Sequence, residues 1–178
     1  MYNLEKQKAI FLDRDGVINI EKSYLYKIED FEFIEGVFES LGYLQKLGFN
    51  LFIITNQSGI GRKYYSINDF NNLTSWMLEE FKKRDITISQ VECCPHTPDE
   101  NCNCRKPKTQ MIDNILKNYN IDLKNSWLIG DKNSDILCAN NAKIKNTIQV
   151  KSGHKFDTSI ADWIIDSLNY KDISKIIF

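Results

Sequence analysis

The stretch 10–19, which reads IFLDRDGVIN, constrains the fold of this chain more than any other. An apolar run ends in two aspartates, Asp13 and Asp15, and Gly16 then breaks the extended pattern. A run that is apolar at every position is typical of a parallel strand buried on both faces. Open α/β sheets place their ligands at the carboxyl ends of such strands. We therefore expect both aspartates to project from one side of the chain at that edge, where a bound Mg²⁺ would relieve their repulsion. The pattern D-x-D alone is as typical of a strand that ends in a polar turn as it is of a cation-binding pair of carboxylates.

Strands and amphipathic helices alternate along the rest of the chain. This alternation predicts an α/β fold, a Rossmann-like three-layer parallel sheet with helices on both faces. The length of 178 residues fits a single domain, 1–178, and the loop at about 93–107 carries all three prolines. Strands are predicted at about 8–13, 51–54, 86–93, 127–129, 147–150 and 163–165, and helices at 37–47, 67–84, 111–116, 136–142 and near the C-terminus.

The composition excludes some classes of protein. A hydrophobic fraction of 42% supplies a real core, and a net charge of −1 gives no basic field for nucleic acid. No apolar run approaches the ~20 residues that a membrane helix needs. The stretch 1–8 lacks the apolar core of a signal peptide. We therefore expect a cytoplasmic protein that binds neither nucleic acid nor membranes.

The five cysteines point to a metal site. Their odd number and the lack of an export signal argue against disulfide bonds. Cys94-x-His96, followed after five residues by Cys102-x-Cys104, offers three thiolates and one imidazole, the ligand set of a closed structural Zn²⁺ site. Bound zinc would order the polar residues between them. Strand alternation turns Cys93 away from this set, and Cys138 lies in a helical pattern and is expected to pack.

Three predicted strands end in polar clusters: 13–15, 55–58 and 130–135. Because parallel strands end at one edge, these clusters should converge, and Lys106 is close enough in sequence to reach them. One carboxylate can attack a phosphoryl group, and a second can protonate the leaving oxygen and then activate water. Asp131 would complete a Mg²⁺ site, Thr55 would hold phosphoryl oxygens, and Lys106 would neutralise developing charge. The pattern predicts phosphoryl transfer.

The same segments resemble the four motifs of the haloacid-dehalogenase (HAD) superfamily of phosphatases. They are Phe11–Gly16, Thr55–Gly59, Arg105–Pro107 and Gly130–Lys132, and the resemblance spans residues 9–150 or so. It implies that Asp13 is the nucleophile and Asp15 the acid/base. It also implies Mg²⁺ on Asp13, Asp131 and the backbone carbonyl of Asp15, and phosphate binding by Thr55 and Lys106. A non-catalytic, zinc-stabilised binding module is disfavoured because all four motifs are intact.

The Cys-Pro-His loop followed by Cys-x-Cys-Arg-Lys-Pro resembles the small, capless branch of the superfamily. That branch includes heptose bisphosphate phosphatases and histidinol-phosphate phosphatases. The segments Asn56–Arg62, Phe31–Val37 and Ala161–Trp163 resemble the heptose enzymes, whereas histidinol enzymes tend to have aspartate in place of Ser58 and no arginine like Arg62. Gly61 and Lys63 depart from the heptose pattern in a minor way. The short spacing between His96 and Cys102 also occurs in histidinol phosphatases and keeps that alternative open.

The resemblance implies a phosphosugar substrate with two phosphates, the 7-phosphate being released to supply nucleotide-activated heptose for lipopolysaccharide or another surface glycan. A second phosphate needs a second anion site, for which Arg62 and Arg105 are candidates because guanidinium matches phosphate geometry. Lys22 and Tyr24 would line the mouth of the site, although a solvated surface role is equally compatible with each of these four. We expect a monomer and assign no role to His154. The remaining candidates for substrate contacts are Glu21, Asn56, Gln57, Ser58 and Lys132.

Overall fold

The computed structural model describes residues 6–178, which contain a six-stranded parallel sheet covered by helices on both faces. The α/β architecture predicted from the sequence is confirmed. Residues 1–5, part of the stretch in which we expect no signal peptide, lie outside the described residues. The strands are β1 (Ala9–Leu12), β2 (Asn50–Asn56), β3 (Ile88–Cys94), β4 (Trp127–Gly130), β5 (Asn146–Val150) and β6 (Trp163–Ile165). The helices are α1 (Val37–Lys46), α2 (Ser58–Gly61), α3 (Ile67–Lys82), α4 (Gln110–Asn118), α5 (Asn133–Asn141) and α6 (Tyr170–Ile176).

The strand order β3-β2-β1-β4-β5-β6 places β1 between β2 and β4. Leu12, the last residue of β1, is paired with Ile53 on one side and with Ile129 on the other. The chain first moves outward through β2 and β3 and then returns to the opposite side of β1. Such a reversal opens a crevice at the carboxyl ends of the strands. The polar segments after β1, β2 and β4 therefore meet there.

Burial of β1 on both faces explains its uninterrupted apolar sequence. Ile10 and Leu12 belong to the core cluster that includes α1, α3 and α6, whereas Ala9 and Phe11 belong to the cluster that includes α4 and α5. All four side chains are fully buried. Alternate residues of a strand point to opposite faces, so each must be apolar when both faces are covered.

Some boundaries differ from the predicted ones. Helix α5 begins at Asn133, three residues earlier than predicted, because the Asp135 carboxylate accepts a hydrogen bond from the Lys132 backbone N–H at 2.9 Å and caps the helix. The short helix α2 had no periodic signal in the sequence. Gly48, with φ of +84°, follows α1 as predicted. Within residues 6–178, every helix is too short or too polar to cross a membrane.

Candidate active site

A cleft of about 320 Å³ opens at the carboxyl edge of the sheet. Asp13 follows β1, Asn56 ends β2, and the turn after β4 leads through Lys132 into α5. All three residues line the cleft, together with Lys106 and Arg105 from the loop between β3 and α4. The convergence expected from parallel strand ends is thus present in the structure.

A buried ammonium group joins two carboxylates at the base of the cleft. Lys106 Nζ lies 3.0 Å from Asp13 Oδ1 and 2.6 Å from Asp135 Oδ1, and it donates a hydrogen bond to the Ile54 carbonyl at 2.8 Å. Burial alone would lower the pKa of Lys106, but the two carboxylates outweigh it and raise that pKa. Burial raises the pKa of Asp13; Lys106 opposes this shift, and the carboxylate of Asp135 adds to it.

Asp131 is almost fully buried beside this group. Its Oδ2 atom accepts a hydrogen bond from the His154 backbone N–H at 2.8 Å, and the His154 Nδ1 atom lies 2.7 Å from it. A Cβ atom on Gly153 would approach that oxygen to 2.2 Å, so only glycine lets this loop lie against the carboxylate. Burial raises the pKa of Asp131, and the charge of Asp13 raises it further. The Oδ1 atom of Asp131 is buried and accepts no hydrogen bond from any residue that the structure describes.

The carboxylates of Asp13, Asp131 and Asp135 form a candidate cation site. One oxygen atom from each lies within 4.8 Å of the other two. Carboxylate oxygens are the ligands that Mg²⁺ prefers. A buried oxygen without a hydrogen-bond donor, such as Asp131 Oδ1, fits a metal ligand because an unsatisfied buried acceptor is otherwise costly. The residues present therefore fit a divalent cation.

Asp15 has a different environment from Asp13. The buried guanidinium of Arg14 donates to both of its oxygens, at 2.9 and 3.2 Å, and the Asn19 and Gln57 amides donate at 3.0 and 2.9 Å. Burial would raise the pKa of Asp15, but Arg14 and these hydrogen bonds outweigh it and lower that pKa. Arg14 thus compensates part of the charge of the Asp15 carboxylate, and the remaining repulsion from Asp15 still raises the pKa of Asp13.

Gln57 connects Asp15, the candidate acid/base, to Thr55, a candidate phosphate-binding residue. Its Nε2 atom donates to Asp15 Oδ2 and to Thr55 Oγ1, both at 2.9 Å. The Tyr65 hydroxyl donates to its Oε1 atom at 2.5 Å, and burial raises the pKa of Tyr65 to about 12, which keeps that hydroxyl a donor. The amide orientation of Gln57 is therefore determined by its neighbours.

The predicted zinc ligands also meet. The ligand atoms of Cys94, His96, Cys102 and Cys104 all lie within 4.8 Å of one another. Cys94 is buried at the end of β3, and the other three are partly buried. Three sulfurs and one imidazole nitrogen at this spacing can surround one tetrahedral ion. Cys93 is not a member of the cluster, and Cys138 is buried in α5, where its Sγ donates to the Lys108 carbonyl.

Comparisons with known proteins agree with this geometry. A family model described as "HAD-hyrolase-like" matches residues 103–169. A D-glycero-beta-D-manno-heptose-1,7-bisphosphate 7-phosphatase of Helicobacter pylori is 48% identical over 82% of this chain and 84% of its own length. A D-glycero-alpha-D-manno-heptose-1,7-bisphosphate 7-phosphatase of Campylobacter jejuni is 51% identical over 84% of this chain and 86% of its own length. This chain belongs to the heptose-1,7-bisphosphate 7-phosphatase family of HAD-like hydrolases.

A solved structure agrees with the family assignment. The D,D-heptose 1,7-bisphosphate phosphatase from B. bronchiseptica, complexed with magnesium and phosphate, superimposes with a TM-score of 0.80 at 25% identity, covering 90% of this chain and 93% of the other. The chain is therefore a phosphatase with the expected HAD fold. The resemblance noted in the motifs is confirmed.

The structure brings most of the candidate residues of this phosphatase to the cleft. Thr55 and Asp131 are buried beside it. Lys22, expected at the mouth, instead donates to the Asp30 carbonyl at 2.7 Å and pairs with Glu32 at 2.5 Å. Arg62 is exposed at the end of α2, outside the cleft as lined by the described residues. The candidates that line the cleft are Asp13, Asp15, Glu21, Tyr24, Asn56, Gln57, Ser58, Arg105, Lys106 and Lys132.

Sequence reasoning missed some residues of the site. The sequence gives Asp135 no role beyond membership of the polar cluster 130–135, although it contacts Lys106 in the structure. Arg14 occupies the unspecified middle position of the D-x-D pattern, and no sequence pattern marks Tyr65 as a residue of the site. His154 is a lone histidine in the sequence, without a motif around it, yet it lines the cleft and contacts Asp131. The glycine at 153, which gives the backbone close access to Asp131, was the one available hint at that loop.

Proposed function

We propose that this phosphatase removes the 7-phosphate of D-glycero-D-manno-heptose 1,7-bisphosphate and that its product supplies nucleotide-activated heptose. The observation that carries the proposal is the buried set of Asp13, Lys106 and Asp131 in a chain 48% and 51% identical to enzymes named for that reaction. The relatives named above carry both the alpha and the beta anomer in their names, so the proposal covers the heptose and leaves its anomer open.

Asp13 is the proposed nucleophile. Its carboxylate attacks phosphorus, the bond from phosphorus to the sugar oxygen breaks, and a phospho-aspartyl intermediate forms. Asp15 gives its proton to the leaving oxygen and later takes a proton from the water that hydrolyses the intermediate. Asp15 must be protonated for the first step. Because a nearby negative charge raises the pKa of a carboxyl group, an arriving phosphate favours that form.

Mg²⁺ is the proposed catalytic cofactor, and Asp13, Asp131 and the backbone carbonyl of Asp15 are its proposed ligands. The carboxylates of Asp13, Asp131 and Asp135 lie together, and the ammonium group of Lys106 pairs with those of Asp13 and Asp135. These four side chains leave an excess of two negative charges, which one Mg²⁺ would balance. The cation, when bound, supplies positive charge that stabilises the transferring phosphoryl group. Lys106 and Thr55 are the proposed protein contacts of that group.

Arg105 is the proposed contact of the second phosphate. Lys106 points inward to Asp13, while Arg105 lines the cleft and donates to the His96 carbonyl at 3.4 Å. Because the Lys106 ammonium is bound to Asp13 and Asp135 while Arg105 lines the cleft, the two cations can serve different phosphates. Ser58 and Lys132 line the same cleft and offer further donors. The exposed position of Arg62 makes it the weaker candidate.

Zn²⁺ is the proposed structural metal, held by Cys94, His96, Cys102 and Cys104. Burial raises the pKa of the Cys94 thiol, and hydrogen bonds with the neighbouring thiols add to that shift. A bound cation would favour the thiolate. We further propose that the chain acts as a cytoplasmic monomer, for which light scattering on the purified protein is the direct test.

Hydrolysis of histidinol phosphate is the second candidate function. The observation in its favour is the spacing of five residues between His96 and Cys102, which resembles that of histidinol phosphatases. That substrate carries one phosphate and would leave the Arg105 side of the cleft unused. Two substrates that differ in this way can be separated by kinetics.

The test compares kcat/KM for the heptose bisphosphate and for histidinol phosphate, with Mg²⁺ and after chelation. We expect the bisphosphate to be preferred by about a hundredfold or more, because charge-assisted hydrogen bonds to a second phosphate contribute ~1.5–3 kcal/mol each. Chelation should abolish turnover of both. A preference for histidinol phosphate would contradict the proposal.

A further inference from the structure

Tyr65 is a buried tyrosine that lies next to the cleft but does not line it. Its side chain is only 7% exposed, and it does not belong to the described residues that form the wall of the cleft. A buried phenol needs a hydrogen-bond partner, and its hydroxyl donates to Gln57 Oε1 at 2.5 Å. Any influence of Tyr65 on the reaction must therefore pass through a neighbour, and Gln57 is the side chain that its hydroxyl contacts.

Two contacts hold the ring of Tyr65 in place. A Cβ atom on Gly59 would lie 2.2 Å from the Tyr65 Cε1 atom, so only glycine lets the ring pack this closely against α2. The ring of Tyr26 stacks on that of Tyr65, with centroids 5.2 Å apart and planes at 12°. The Tyr65 hydroxyl is therefore a hydrogen-bond donor in a fixed position.

The hydroxyl of Tyr65 determines which way the Gln57 amide faces. Gln57 Nε2 donates to Asp15 Oδ2 at 2.9 Å, and because an ionised carboxylate can only accept, a flipped amide would set Oε1 against it. The other donor near Oε1 is Arg14 Nη2, at 3.4 Å. The two N–H groups of that atom have nearer acceptors in Asp15 Oδ1 and the Leu25 carbonyl, at 2.9 and 3.1 Å. Tyr65 is therefore the close donor that fixes the amide.

The amide of Gln57 in turn links Asp15 to the end of β2. Among the described residues, Arg14 and Asn19 donate to Asp15 from its own turn, whereas Gln57 donates from the segment after β2. Gln57 Nε2 also donates to Thr55, the proposed phosphate contact, and so sets the position of Asp15 relative to that phosphate. A threonine hydroxyl can accept or donate and tolerates either amide orientation, whereas the Asp15 carboxylate tolerates only one. Loss of the orientation would therefore act mainly on Asp15.

We propose that Tyr65 is a positioning residue for the reaction and that, through Gln57, it holds the Asp15 carboxyl where it can protonate the leaving oxygen. This role rests on the proposed function, in which Asp15 is the acid/base. In that step Asp13 bonds to phosphorus, the bond from phosphorus to the leaving oxygen breaks, and the proton of Asp15 passes to that oxygen. A leaving group that is stable as an anion does not need the proton, whereas a basic one does. The importance of Tyr65 should therefore rise with the basicity of the leaving group.

The first experiment measures kcat/KM of Tyr65→Phe on p-nitrophenyl phosphate and on phenyl phosphate, which differ in the basicity of the leaving phenolate. General acid catalysis contributes about a hundred- to ten-thousandfold in rate, so we expect a loss of about tenfold on phenyl phosphate and less than about twofold on p-nitrophenyl phosphate. Tyr119→Phe is the matched control, because it removes a hydroxyl that donates to the Ser89 carbonyl at 2.9 Å, outside the described lining of the cleft. It should change neither activity. Equal losses of Tyr65→Phe on the two esters, or no loss, would overturn the role of Tyr65.

The second experiment tests whether Tyr65 acts through Gln57. Substitutions within one hydrogen-bond network have non-additive effects, whereas those at independent sites add in free energy. Gln57→Met removes the amide from a side chain of similar length. Adding Tyr65→Phe to it should therefore lower kcat/KM for phenyl phosphate by less than about twofold. A further loss as large as that of Tyr65→Phe alone would overturn the role.

The variant Asp15→Asn separates this role from the proposed function. It should show the same dependence on the leaving group as Tyr65→Phe, but more strongly, because it removes the acid itself. Absence of that dependence in Asp15→Asn would overturn the acid/base assignment and the role of Tyr65 with it. Failure of the wild-type enzyme to prefer heptose bisphosphate would instead overturn the proposed substrate alone, since neither measurement uses that sugar.

Discussion

Asp13 and Asp15 show how two carboxylates two residues apart acquire opposite protonation preferences. The pKa of Asp13 is raised by burial and by Asp135, whereas that of Asp15 is lowered because Arg14 and two further donors, Asn19 and Gln57, outweigh burial. Each shift opposes the role that the residue is proposed to have. A ligand would reverse each pKa shift. A cation beside Asp13 would lower the pKa of Asp13, and a phosphate beside Asp15 would raise the pKa of Asp15. The site is thus adapted to its bound state.

Substitution of Asp13 by asparagine tests the proposed role of this single residue as the nucleophile. The amide is nearly isosteric but is a poor nucleophile and a poor metal ligand, so kcat should fall by at least about a thousandfold. Asp85→Asn is the matched control, because Asp85 is exposed and its φ of +57° suits asparagine. Circular dichroism should show both variants folded. Turnover of Asp13→Asn within about tenfold of wild type would remove Asp13 from the role.

At the scale of the elements, the loop between β3 and α4 connects the cysteine cluster to the catalytic edge. Asn56, at the end of β2, accepts from the Lys106 backbone N–H at 3.0 Å and donates to its carbonyl at 3.3 Å. Lys108 Nζ donates to the carbonyls of Asn101 and Cys102 at 3.1 and 2.7 Å. The loop has little apolar side-chain packing of its own apart from Cys102 and Cys104. Metal binding at the cluster should therefore help to place Lys106.

Elemental analysis of cysteine variants tests this connection. The gently purified wild-type protein should contain about one zinc ion per chain, the stoichiometry of one four-ligand site. Cys102→Ser should lose the metal and lower kcat because Lys106 is displaced. Cys93→Ser changes the same chemical group next to a ligand and should retain both metal and activity. Equal loss of zinc from the two variants would show that the four ligands were chosen wrongly.

For the whole molecule, the sequence allowed the sheet and its catalytic edge to be predicted because both follow from local patterns. Buried strands are apolar throughout, and parallel strands end together, so Asp13 and Asp131 had to be neighbours. Contacts between distant loops had no such signal. His154 contacts Asp131 only because the loop after β5 folds back over Asp131. Lys22 pairs with Glu32 because the long, flexible side chain of a surface lysine can reach several acceptors.

The most direct test of the central claim is to identify which phosphate leaves. Phosphorus NMR of heptose 1,7-bisphosphate incubated with the enzyme and Mg²⁺ distinguishes the anomeric phosphate at C1 from the ester at C7. We expect the C7 signal to be replaced by inorganic phosphate while the C1 signal persists, because Asp13 and Lys106 receive the 7-phosphate and Arg105 retains the other. Loss of the C1 signal, or an unchanged spectrum under conditions in which the enzyme hydrolyses histidinol phosphate, would contradict the account.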